Sequence, residues 1–155
     1  MIGIDIDPRC IKDFKNKLPG VKLFHGSIKD FSNGDLYPEL GILNFDGYTS
    51  TTGKNLESTI QDIIPLINRQ VKRLGFFYFI LNCDIGSACK KKGGQTQEKE
   101  IVNFCNLINT SFDPDGKLPR ECQNLSMNVR PDQISIYRRK GSKATNMASA
   151  RMIFK

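Results

Sequence analysis

Acidic, amide and hydroxyl side chains close the apolar runs in the first half of this 155-residue sequence. Ile2-Gly-Ile runs directly into Asp5 and Ile6; Val21-Lys-Leu-Phe24 leads to His25, Gly26 and Ser27; Leu40-Gly-Ile-Leu precedes Asn44, Asp46 and Tyr48. In an open α/β sheet, ligands sit outside the carboxyl ends of the strands. A carboxylate there accepts hydrogen bonds from both hydroxyls of a ribose. A serine hydroxyl accepts one without adding charge, and an amide both donates and accepts. Such residues at successive strand ends suit recognition of a nucleoside. The competing explanation is structural, since Gly-Ser and Asp-Gly pairs are also ordinary turn formers.

The segments between these runs read as a strand–helix alternation. Cys10, Ile11, Phe14 and Leu18 recur at three and four, predicting a helix over 9–18 that Pro19-Gly20 ends. Val21–Phe24 is the next strand, and a parallel crossover is the default for this connection. Phe31 to Glu39 reads as a loop, because Asn33-Gly34 and Pro38 are turn signals. Leu40–Phe45 is a short apolar strand, and Thr49–Lys54 is a polar loop. Leu56, Ile60, Ile63, Ile64, Ile67, Val71 and Leu74 mark the buried face of a helix over 55–74, with Pro65 expected to kink it. Phe76-Phe-Tyr-Phe-Ile-Leu81 reads as a strand buried on both faces, and 98–109 as a helix. Gln133–Tyr137 and Ala148–Phe154 predict an antiparallel hairpin.

The run Ile2-Gly3-Ile4-Asp5-Ile6-Asp7-Pro8, followed by Gly26-Ser27 and then Asn44-Phe45-Asp46-Gly47-Tyr48, resembles the class I, Rossmann-like S-adenosylmethionine-dependent methyltransferases. The resemblance places the family's second, third, fourth and fifth strands on the runs beginning at Ile2, Val21, Leu40 and Phe76, and it ends on the family's antiparallel sixth and seventh strands. It implies one α/β domain over 1–155: a mostly parallel sheet, helices on both faces and a C-terminal antiparallel hairpin. It implies S-adenosylmethionine as cofactor, held by Asp5 and Ile6 at the ribose, Ser27 and Ile28 at the adenine, and Asn44. Asp46 and Tyr48 stand where the family handles its methyl acceptor, with nucleic acid as one acceptor class. The sequence departs from the pattern in three ways. Ser27 replaces the usual acid, the segment 44–48 has an extra residue and no proline pair, and the family's first strand with its glycine-rich loop has no place before Asp5. The last departure leads to the expectation of a shortened, weakly active or inactive enzyme. The alternative is a non-catalytic basic α/β module that binds nucleic acid or protein.

Charge and composition narrow the partners. The net charge is +7, and seven basic residues against one acid fall between Arg130 and Lys155, which favours encounters with polyanions. No apolar run reaches the roughly 20 residues that span a bilayer, and no basic-then-apolar leader opens the chain. A cytoplasmic protein without a membrane partner is the expectation. The five cysteines form no C-x-x-C pair and His25 is the single histidine, so the pattern of a zinc site is missing and buried, reduced thiols are expected. Lys90-Lys-Lys-Gly-Gly94 lacks the spacing of a phosphate-binding loop and reads as a solvated surface loop. Asp113 and Asp115 lack the other ligands of a calcium loop.

Overall fold

The computed structural model describes residues 2–5, 7–17, 20, 22–35, 38–50, 54–85, 95–138 and 146–155. The strands are β1 (Ile2–Asp5), β2 (Lys22–His25), β3 (Ile42–Ser50), β4 (Phe77–Asp84), β5 (Ile134–Arg138) and β6 (Asn146–Phe154). The helices are α1 (Pro8–Lys17), α2 (Ile28–Asn33), α3 (Lys54–Leu74) and α4 (Gln95–Ser111), followed by 3-10 turns at Arg120–Leu125 and Pro131–Gln133. The lysine-rich stretch 90–94 lies outside the described residues. The architecture is α/β with an open, mixed four-stranded sheet of order β3-β4-β6-β5 and a separate parallel pair β1-β2.

The parallel content is lower than the sequence suggests. β1–β2 and β3–β4 are parallel, whereas β4–β6 and β5–β6 are antiparallel. The C-terminal hairpin forms as expected, but its last strand turns back between β4 and β5 and so supplies two antiparallel ladders.

Side-chain alternation along the strands makes the two sheet faces unlike. Leu43, Phe77, Phe79, Leu81, Met152 and Phe154 point to one face and are buried. They form a single core with Ile60, Ile63, Ile64 and Ile67 of α3 and Phe104 and Ile108 of α4. The opposite face holds a row formed by the in-register residues Ile42, Tyr78 and Ile153, all exposed. Among the described residues, helices therefore do not cover both faces of this sheet. The run from Phe76 to Leu81 is not buried on both sides either, because Phe76 and Tyr78 stand in solvent.

Two elements differ from the sequence expectation for local reasons. α2 occupies the first part of what reads as a loop. Its start is fixed by a capping box, in which the Ser27 hydroxyl accepts from the Asp30 N–H and the Asp30 carboxylate accepts from the Ser27 N–H. β3 runs five residues beyond Phe45, because β4 continues to offer it backbone partners as far as Asp84, with a register shift between Gly47 and Ser50. α2 joins the two sheets. Phe31 meets Phe24 of β2 edge-to-face at 5.3 Å, and Arg69 of α3 donates to the Ser32 and Gly34 carbonyls at 2.8 Å each. Among the described residues, no helix is long and apolar enough to cross a membrane.

Candidate nucleoside site

The parallel register Asp5↔His25 brings the carboxyl ends of β1 and β2 together, with Ser27 two residues further on. This is the rim that the strand-end acids and hydroxyls point to. Two of its polar groups have structural employment. Asp7 caps α1: its carboxylate accepts the Arg9 N–H at 2.9 Å and is gripped by the Arg9 guanidinium at 2.8–3.2 Å. Pro8 opens that helix, where its missing N–H is no loss. The Arg9 side chain, then its backbone N–H, holds the Asp7 carboxyl below the ordinary carboxylate range.

Ser27 is engaged in the same way. Its hydroxyl donates to Asp30 Oδ2 at 2.6 Å and accepts the Asp30 N–H at 3.1 Å. That hydroxyl, followed by the Ser27 N–H, pulls the Asp30 carboxyl below its usual value. A nucleoside meeting Ser27 therefore finds an acceptor that already serves a helix cap. Ile28, the first residue of α2, is half-buried and packs against the core. Asp5 ends β1 at the rim. Its side chain lies outside the described residues, as does the whole of Ile6.

Asn44 belongs to the other sheet. It stands mid-strand in β3, opposite Ile80, rather than at a strand end, because β3 continues to Ser50. Its amide oxygen accepts from Asn82 Nδ2 at 2.7 Å, and the same Asn82 nitrogen reaches the Phe45 carbonyl at 3.3 Å. Asp46 pairs in register with Asn82; the side chains of Asp46 and Tyr48 lie outside the described residues. The β1–β2 rim thus brings Asp5 and Ser27 together, while Asn44 and Asp46 stand within β3 of the other sheet.

Asn82 is a residue that the sequence alone does not single out. It is only 6% exposed on the central strand, where a polar side chain needs a partner, and it sits in register with buried Ser149. An amide at the end of an otherwise apolar strand is the one signal that points to it. Among the described residues, no three of His, Cys, Asp and Glu gather as a metal set would. An open groove of about 540 Å³ lies elsewhere, lined by Pro65, Asn68, Lys72, Pro119 and Glu121. It belongs to the C-terminal half of α3, which leads into the amino end of β4, so it is away from the carboxyl ends of the strands.

Comparison with protein-family models, curated proteins and solved structures yields no match for this chain. The functional reading therefore rests on the residues and the topology.

Proposed function

We propose that this domain is a methyltransferase-like α/β unit that binds the adenosyl part of S-adenosylmethionine at the β1–β2 rim. The observation that carries the reading is topological. The four-stranded sheet runs β3-β4-β6-β5, with its parallel pair next to an antiparallel hairpin, and among the described residues β1-β2 forms a separate parallel pair. In the methyltransferase resemblance, the hairpin matches the sixth and seventh strands.

The residues fit the cofactor in part. Asp5 ends a parallel strand, the backbone position at which a carboxylate serves ribose hydroxyls in the resemblance, and Ile28 offers an apolar surface at the start of α2. Ser27 fits less well, because Asp30 already occupies its hydroxyl. The cofactor would supply an electrophilic methyl group, and the protein's part is to hold an acceptor in line with it. Asn44, hydrogen-bonded to Asn82, is the polar group assigned to orienting an acceptor, with Asp46 two residues further along β3.

These 155 residues contain no Asp/Glu-x-Gly-x-Gly stretch to approach the methionine end of the cofactor. That observation favours a second reading beside the first: a non-catalytic basic module that binds nucleic acid or protein. Calorimetric titration of S-adenosylhomocysteine into the chain, with adenosine as competitor, tests both. A saturable one-site heat that adenosine suppresses supports the nucleoside site, and the absence of any heat removes it. Incubation with labelled S-adenosylmethionine and mixed RNA, DNA and protein acceptors separates an enzyme from a binder.

A further inference from the structure

The face of the four-stranded sheet turned away from α3 and α4 is unusual in what it exposes. A parallel strand pair is ordinarily covered on both faces. Here Tyr78 on the central strand β4 is 42% exposed, and Phe76, just before that strand, is 41% exposed. Their rings meet edge-to-face with centroids 5.6 Å apart, so both rings project from the same side. On the neighbouring strand β6, Arg151 lies opposite Ile80 and Ile153 opposite Tyr78. The same alternation carries Lys155 to this side. Arg151 and Lys155 are exposed and enter no ion pair shorter than 4 Å among the described residues.

From these positions we infer that the open sheet face binds single-stranded nucleic acid, with Phe76 and Tyr78 as the stacking surface and Arg151 and Lys155 as phosphate partners. Adjacent strands are about 4.8 Å apart, and residues two apart on a strand about 6.8 Å. The rings of Phe76 and Tyr78 and the cations of β6 therefore lie on neighbouring strands of one face, within the reach of a single extended strand. Bases stack on aromatic faces without sequence preference, while a basic track follows the phosphates. The charge of the chain agrees, at +7 overall. No acid shares the rows of Tyr78 and Ile80 with these cations: the residues there are Ile42, Asn44, Ile153 and Arg151. Duplex is a poorer ligand, because its bases are already stacked and the sheet has no ridge to enter a groove. The inference stands apart from methyl transfer, since neither the two rings nor the two cations belong to the β1–β2 rim.

Fluorescence anisotropy with a labelled 12-nucleotide single-stranded RNA and a length-matched DNA duplex, both without cofactor, tests the inference. The single strand is expected to bind more tightly at equal salt. Tyr78→Leu keeps an apolar side chain but removes the ring, and should weaken binding roughly five- to hundredfold, the range for losing one stacked base. Replacing both cations, R151A with K155A, should reduce the slope of log affinity against log salt by about 1.4, or about 0.7 per phosphate. Circular dichroism checks folding of Tyr78→Leu, and the cation variant supplies a second test should that one misfold. Equal affinity for duplex and single strand, with no loss in Tyr78→Leu, overturns the inference. So does a concentration-dependent dimer in sedimentation velocity that Ile153→Glu abolishes, since this face would then belong to a second copy.

Discussion

Asn82 Nδ2 donates to Asn44 Oδ1 at 2.7 Å, so a buried amide on the central strand fixes an exposed amide on its neighbour. A hydrogen bond of this kind contributes about 1 kcal/mol net, but leaving a buried partner unsatisfied costs about 1–3 kcal/mol. Asn82→Ala also deletes the contact with the Phe45 carbonyl. We expect it to lower unfolding stability by about 1–3 kcal/mol in urea titrations, whereas Asn44→Ala costs less because Asn44 is exposed. An equal loss in the two variants would mean that the pair, rather than the buried partner, carries the energy.

Ser27 is predicted to matter for stability whether or not a nucleoside binds. Removing an N-cap hydroxyl typically costs about 1 kcal/mol. Ser27→Ala should therefore lower the thermal midpoint of the unliganded chain. Ser27→Asp, which keeps a capping acceptor but meets the Asp30 carboxylate, should recover only part of it. Unchanged midpoints in both variants would assign Ser27 to a role outside the cap.

The Arg73 guanidinium holds Asp35 through hydrogen bonds of 2.9 and 3.0 Å, with Arg69 Nε 3.6 Å away. These partners, Arg73 first, hold the Asp35 carboxyl below the usual carboxylate range. A carboxyl depressed in the folded state stabilises above its unfolded pKa of about 3.9, and its contribution is lost as pH falls through the folded value. The pair is exposed, so its effect is small and screened by salt. Asp35→Asn should be slightly less stable than the parent at pH 7 and low salt, and the gap should close below about pH 4. Denaturation midpoints at pH 3 and pH 7 measure this; a gap that widens in acid would contradict it.

Cys83, Cys105 and Cys122 are buried, and Cys10 on α1 is partly exposed. Burial pushes the Cys105 and Cys122 thiols up, which leaves little reactive thiolate at neutral pH. Brief alkylation of the folded chain, read peptide by peptide in the mass spectrometer, should mark Cys10 well before these three. Early labelling of Cys105 would indicate that α4 opens readily.

Much of the framework is legible in the sequence where one periodicity dominates. Apolar spacing of three and four fixes α3 over its length, and alternation marks the C-terminal hairpin. α2 reads as a loop because the turn signals Asn33-Gly34 and Pro38 dominate that stretch, while the cap that starts it, Ser27 with Asp30, shows only once the chain is folded. The polar end of β3 is invisible for a different reason: its strand character comes from the ladder that Asn82 to Asp84 offer it, not from its own composition. The open face escapes notice because Phe76-Phe77-Tyr78-Phe79 is apolar throughout. Nothing in such a run tells which alternate residues meet a helix and which meet water.

The parallel pair β1–β2 has a consequence for how the chain breathes. α1 has no fully buried residue, the described residues of β2 are half-buried or exposed, and among the described residues the pair reaches the core through Ile4 and Phe24. Free energies of local opening follow buried apolar contact, so amide hydrogens of this unit should exchange with deuterium far sooner than those of β4 and β6. A ligand seated on the β1–β2 rim that binds the closed form alone slows that exchange by a factor of one plus the ratio of free ligand concentration to Kd. Protection confined to residues 2–25 would then report ligand binding even where no chemistry follows.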